Sequence, residues 1–272
     1  MVALEFQRNR RIYELIVEIS IERIRYAMNY LPRIISRLDI KNEFVIKGIQ
    51  LEGLRRVGEP LELCTKYYKQ GVDEIMFMDA VASLYDRNSL FSLIELAASC
   101  SFIPIALGGG LRSIDDVIRA FDSGADKVII NTAAVRDISI VSKVANRYGS
   151  QAMIASIQAK RTTEDHWEAY IDNGRQPTGL DVLTWAKQLV SEGAGEVAVT
   201  SVDREGTKKG FDVKLSKLLT ENLMVPVTIS GGCGKMDHVN QLIELSDPSG
   251  VAIASCFHYN MFTPAQLKEY LA

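Results

Sequence analysis

Histidine and cysteine are scarce in this chain, and neither is spaced to hold a metal. The 272 residues include three histidines and four cysteines. Cys64, Cys100, Cys233 and Cys256 form no Cys-x-x-Cys pair, and His166, His238 and His258 lack ligand spacing, so no metal site is expected. Scattered cysteines of this kind read as free thiols in a reducing, cytoplasmic setting. No apolar run reaches the length of a membrane span, and the first thirty residues have neither a clean apolar h-region nor a small-residue cleavage site. A net charge of −3 gives no bulk attraction for nucleic acid. No G-x-G-x-x-G follows the first apolar run, and no Walker A string or Ser-His-Asp order is present, so no cofactor is expected.

What the chain does have is alternation. Apolar residues make up 47%, enough for a large core. After residue 30, eight β-branched runs close on small polar residues, and each is followed by a helical pattern: Ile34–Ile40, Glu74–Asp79, Ile103–Leu107, Lys127–Asn131, Ala152–Gln158, Glu196–Ser201, Val225–Ser230 and Gly250–Ala254. Near-continuous apolar strands alternating with helices predict a parallel sheet covered by helices, and eight of them predict a closed (β/α)₈ barrel of the TIM type. An open doubly wound sheet is the competing architecture. Residues 31–272 are read as the barrel. Residues 1–30, with Leu15, Ile16, Ile19, Ile21 and Ile24 near helical spacing, are read as an added amphipathic helix.

The barrel is written twice. Ile105-Ala106-Leu107-Gly108-Gly109-Gly110 corresponds to Val227-Thr228-Ile229-Ser230-Gly231-Gly232 about 122 positions later, and Phe77-Met78-Asp79 to Ser201-Val202-Asp203 at a similar offset. A constant offset near half the barrel predicts two similar half-barrels. Glycines after a strand and before a helix let backbone N–H groups approach a phosphate. Two such turns predict a substrate with a phosphate at each end. Two longer loops, Lys41 to Gly58 and Lys160 to Gly179, occupy matching places in the halves and read as lids.

Barrel geometry brings strand C-termini to one mouth. Asp39 ends the first strand and suits a general acid or base, or alternatively a loop cap. Its partner across the pseudo-twofold axis is Gln158, an amide that cannot transfer a proton in that role. Glu205 is a second acid candidate, and Gly206 suits phosphate contact. At the opposite strand ends stand Arg33, Glu74, Lys127 and Glu196, which read either as a charged ring across the barrel floor or as ordinary loop charge.

From Pro32 onward the chain resembles HisF, the cyclase subunit of imidazole glycerol phosphate synthase. The motifs that carry the resemblance include Arg-Leu-Asp-Ile-Lys at 37–41, Leu-Gly-Gly-Gly-Leu-Arg-Ser at 107–113, Asn-Thr-Ala-Ala-Val at 131–135 and Thr-Ser-Val-Asp-Arg-Glu-Gly-Thr-Lys at 200–208. The resemblance implies a barrel that takes ammonia from a HisH-like glutaminase subunit docked on its N-terminal face. It implies conversion of a bis-phosphorylated ribulosyl intermediate to imidazole glycerol phosphate and an aminoimidazole carboxamide ribonucleotide. By the same likeness Arg33, Glu74, Lys127 and Glu196 form an ammonia gate, and Lys47 lies beside the substrate. Phosphate contacts fall to Gly110, Asn131 and Thr132 in one half, and to Gly206, Gly231, Gly232, Ala254 and Ser255 in the other. Asp39 keeps one of the family's two catalytic aspartates. The other is replaced by Gln158 in Ile-Gln-Ala-Lys, and Asp-Arg-Asp-Gly reads Asp203-Arg204-Glu205-Gly206. Divergent relatives of this kind are similar to proteins that channel ammonia for amidation or amidination of a sugar in surface-polysaccharide biosynthesis, which is the alternative function.

Overall fold

Eight strands pair side by side, all parallel, in a cycle that returns to its start. They are β1 (Arg33–Lys41), β4 (Glu74–Asp79), β5 (Ile105–Gly108), β6 (Lys127–Ile130), β7 (Met153–Thr163), β10 (Glu196–Ser201), β11 (Val227–Ser230) and β12 (Gly250–Ile253). β12 pairs with β1 through Arg33 and Gly250, which closes the barrel. The computed structural model describes residues 31–80 and 90–272, and the barrel body is Pro32–Leu271. The helix expected over residues 1–30 lies outside the described residues.

Strand alternation sorts the core into two parts. Ile34, Leu38, Val128, Ile157, Val199 and Ile229 point outward and are buried beneath the helices. Ile35, Met76, Ala106, Ile129, Ile154 and Ala252 point inward and fill a separate apolar layer inside the barrel. Successive side chains of a strand face opposite ways, so the outward faces are mostly apolar, while the inward faces carry the apolar layer between charged and polar positions. Among the described residues, no helix is long and apolar enough to cross a membrane.

The strands match the sequence reading closely, and the differences have local causes. β5 and β11 begin two residues later than expected because Pro104 and Pro226 lack an N–H for the ladder. Each proline still contributes its carbonyl, which accepts from Ile75 and Val197 respectively at 3.0 Å. Ser113 starts α3 (Ile114–Asp122) with a reciprocal capping box to Asp116. The corresponding helix of the second half, α8 (Met236–Ser246), begins at Lys235 with no side-chain cap.

Both long loops are antiparallel extensions of barrel strands. β1 runs into β2 (Phe44–Ile49) and β3 (Glu52–Gly58), and β7 into β8 (His166–Ile171) and β9 (Gln176–Asp181). The first hairpin is tied down where Gln50 N–H donates to the Glu205 carbonyl at 2.7 Å. The second is tied by the Asn131 side-chain amide donating to the Tyr170 carbonyl at 3.3 Å.

Candidate functional site

The floor of the barrel carries a closed ring of charge. Arg33, Glu74, Lys127 and Glu196 each stand at the first position of a barrel strand, and all four point inward. Arg33 Nη2 donates to Glu196 Oε1 at 2.7 Å and its Nη1 to Glu74. Lys127 Nζ lies 2.8 Å from Glu74 Oε2 and 3.3 Å from Glu196 Oε2. Each carboxylate therefore touches both cations. Burial acts to raise the Glu196 carboxyl, but Arg33 and Lys127 outweigh it and hold the group below its ordinary value. Thr228 Oγ1 adds a hydrogen bond to Glu196 at 2.7 Å. Of the two readings of these residues, the structure supports the ring.

Above the ring lies the inner apolar layer, and above that the mouth. The mouth holds a cavity of about 170 Å³ lined by Arg37, Asp39, Gly110, Asn131, Thr132 and Gln158, among others. Asp39 is buried, and Arg37 Nε donates to its Oδ1 at 2.8 Å. Lys47, also buried, comes from the first hairpin and places Nζ 3.6 Å from Asp39 Oδ2. It also donates to buried Glu205. The result is a chain of alternating charge: Arg37, Asp39, Lys47, Glu205. Burial would raise the Asp39 carboxyl, yet Arg37 and Lys47 bring it below its ordinary value. Burial pushes the Lys47 amine down to about 8, partly offset by Asp39. Behind them, burial and Lys47 lower the His258 imidazole to about 4, so the ring is neutral at pH 7. Tyr67 Oη lies 2.8 Å from His258 Nδ1.

Gln158 stands at the corresponding level of β7, five residues before that strand ends, but its carbonyl is occupied. Oε1 accepts from Gly174 N–H at 2.7 Å. Asp172, Asn173 and Gly174 all have positive φ there, so the tip of the second hairpin curls over the cavity, and Asn173 lines it. Gln158 therefore fixes the hairpin and leaves its NH₂ group for the mouth.

The two glycine turns are built alike. Gly109 and Gly110 have φ of 88° and 72°, and Gly231 and Gly232 97° and 108°. A Cβ at Gly109 would meet the Asp79 backbone, and one at Gly232 the Gly210 carbonyl, so both turns require glycine on space as well as φ. Asn131 and Ala254, which begin the short helices α4 (Thr132–Arg136) and α9 (Ser255–His258), share an unusual backbone of φ −124°, ψ −85° and φ −120°, ψ −72°. Gly110, Asn131 and Thr132 line the mouth cavity, and Gly206, Gly231, Gly232, Ala254 and Ser255 do not. Among the described residues, no group of three or more His, Cys, Asp or Glu side chains is arranged for a metal ion, and the four cysteines are free thiols.

Residues 33–263 match the family described as histidine biosynthesis protein. The chain is 43% identical over 239 residues to "Imidazole glycerol phosphate synthase subunit HisF" of Myxococcus xanthus (strain DK1622), covering 88% of this chain and 94% of that protein. It is 50% identical over 208 residues to the protein of the same name from Legionella pneumophila, covering 76% and 98% respectively. The protein of that name from Hydrogenobaculum sp. (strain Y04AAS1) is 41% identical over 239 residues, covering 88% and 95%. The chain belongs to the HisF family.

Within this HisF-family barrel, two residues at the mouth were not singled out from sequence. Arg37 was part of a motif string only, and Thr200 likewise. The signal was present in the period of two: Arg33, Ile35, Arg37 and Asp39 share one face of β1, so Arg37 had to enter the barrel. His258, which lacks metal-ligand spacing in the sequence, is buried beside the Asp39–Lys47 pair.

Proposed function

We propose that the chain is the cyclase-type subunit of imidazole glycerol phosphate synthase. Ammonia from a HisH-like glutaminase subunit on the N-terminal face passes the four-residue ring, crosses the apolar barrel interior and reacts at the mouth with the bis-phosphorylated ribulosyl intermediate. The products are imidazole glycerol phosphate and an aminoimidazole carboxamide ribonucleotide. The observation that carries this reading is the closed ring of Arg33, Glu74, Lys127 and Glu196, which stands below an apolar interior that opens toward Asp39. Buried ionic contacts at the mouth of an apolar conduit keep hydrated ions out, while one opened contact admits a small neutral molecule.

The first chemical step needs one proton removed from nitrogen and one given to oxygen. Ammonia forms a C–N bond at the substrate carbonyl as the C=O π pair moves to oxygen. Asp39, held ionised by Arg37 and Lys47, accepts the proton lost from nitrogen. The Lys47 ammonium, with its amine lowered to about 8, gives a proton to the oxygen. Glu205 balances the Lys47 charge. The two glycine turns, with Gly110, Asn131 and Thr132 on one side and Gly206, Gly231, Gly232, Ala254 and Ser255 on the other, hold the terminal phosphates through backbone N–H groups.

Gln158 favours a second reading, in which ammonia is delivered to a sugar acceptor, because an amide cannot serve as the acid at this level of β7. The test is turnover of the bis-phosphorylated ribulosyl intermediate with saturating ammonium salt, followed by product identification. Imidazole glycerol phosphate is the expected product. Binding of that intermediate without turnover would displace the cyclase reading in favour of the sugar acceptor.

A further inference from the structure

Arg37 crosses the barrel. It is rooted on β1, and its Nη1 donates to Thr200 Oγ1 on β10 at 2.7 Å. β10 is three strands from β1 by the short way round an eight-stranded cycle, through β12 and β11. A side chain joining them runs through the interior rather than along the wall. Arg37 also lines two separate spaces, the mouth cavity and a smaller void below it bounded by Met76, Ile129, Ala198, Thr228 and Ala252. Arg37 is buried and, with Met78, Ile129 and Ser156, lines both spaces.

We infer that Arg37 is a positioning residue: a crossbar between β1 and β10 that orients the Asp39 carboxylate toward the mouth and holds it ionised there. Its Nε end holds Asp39 Oδ1 at 2.8 Å and its far end is anchored on Thr200, so the guanidinium plane is fixed at both ends. Arginine suits this place better than lysine, because its planar fork donates in two directions and stays charged when buried. Thr200 sits beside Gln158 in the ladder, so the crossbar ties the Asp39 end of the mouth to the Gln158 end. The inference rests on the proposed function only for its consequence, since the geometry holds for the free protein.

The groups around Asp39 are Arg37 on β1, Lys47 on β2 with its partner Glu205 in the loop after β10, His258 on α9 and, on the neighbouring strand β4, Asp79. The test is ¹³C NMR titration of the Asp39 carboxyl in the free protein, for the native chain and for Arg37→Ala, Arg37→Lys and Thr200→Val. Removing a cation in contact raises a carboxyl by about one unit or more. Arg37→Ala is expected to move the Asp39 midpoint up by about that amount, with Arg37→Lys partly restoring it. Thr200→Val, which keeps the volume and removes only the anchor, is expected to give a smaller rise and to serve if Arg37→Ala does not fold. An unchanged midpoint in folded Arg37→Ala, or in Thr200→Val where Arg37→Ala is unfolded, would overturn the inference. Because no substrate is present, that failure is distinct from failure of the cyclase reading, which would appear as lack of turnover with the Asp39 midpoint still responding to Arg37.

Discussion

The two halves of the barrel share a backbone plan but differ in what their first strands present at the mouth. β1 carries Asp39, clasped by Arg37 and Lys47 within a buried alternation of charge. β7 carries Gln158 at the matching level, neutral, with its carbonyl committed to Gly174, and runs on to Thr163 in the second hairpin. The glycine turns, the following short helices and the hairpin extensions correspond across the halves, down to the backbone angles at Asn131 and Ala254. The parts proposed to hold a substrate therefore correspond across the halves, and the difference falls on the group proposed for proton transfer. One half presents a buried carboxylate beside two cations, and the other a neutral amide that fixes a hairpin.

The sharpest way to break this contrast is Asp39→Asn, which makes both positions neutral. Loss of a general acid or base costs about 10²–10⁴-fold in rate. Steady-state turnover with ammonium salt should fall by that amount while the far-UV spectrum stays unchanged. Full activity would remove Asp39 from the chemistry and, with it, the functional asymmetry. The reverse experiment restores a carboxylate to the other side. Gln158→Asp should raise the cyclase rate by about 10–100-fold if this site is a weakened cyclase. It also shortens the side chain and forfeits the Gly174 hydrogen bond, so the gain should come with a looser second hairpin, readable as faster amide exchange at Gly174. No gain in rate would mean that proton transfer at the β7 position is not what limits this protein.

How much of this contrast was legible in the sequence differs between backbone and side chains. All eight barrel strands were placed from apolar runs; β5 and β11 start two residues late where Pro104 and Pro226 delay the ladder, and β7 runs five residues past Gln158 into its hairpin. The inner strands of the hairpins show β-like composition at Phe44–Ile49 and Trp167–Ile171. Their outer partners, Glu-Gly-Leu-Arg-Arg-Val-Gly and Gln-Pro-Thr-Gly-Leu-Asp, are polar, glycine-bearing edge strands whose pairing is set by tertiary contact. The ring of four was recoverable because each member precedes an apolar run. The Arg37–Thr200 contact was not, because 163 positions separate the partners and only barrel closure brings them together.

A third prediction concerns pH and follows from Lys47. Its amine is lowered to about 8, so the ammonium form is complete below that value and is lost as pH rises through it. Turnover should therefore fall on the alkaline side with a midpoint near 8 and a slope of one proton, roughly tenfold per pH unit beyond it. Lys47→Arg keeps the charge at all these pH values and should abolish that limb, though at a lower plateau because the guanidinium is larger and donates differently. An alkaline limb that persists in Lys47→Arg would assign it to another group.

The smallest effect probes whether the halves also differ in stability away from the chemistry. The helix after the first glycine turn has the Ser113–Asp116 capping box, whereas the helix after the second begins at Lys235 with extended backbone (φ −158°, ψ 164°) and no side-chain cap. Backbone in that region is already what a capping serine adopts, so only the hydroxyl is missing. Ser113→Ala should lower stability by about 1 kcal/mol, and Lys235→Ser should raise it by up to about 1 kcal/mol, read as shifts of the urea midpoint at constant slope. The Lys235–Asp237 ion pair lost in the second variant is exposed and subtracts little. Opposite signs at these two positions would show that the second half retained the helix-start geometry of the first and lost only its cap. A neutral Lys235→Ser would show instead that this helix start is already satisfied by solvent, and that the halves differ in stability for reasons other than their caps.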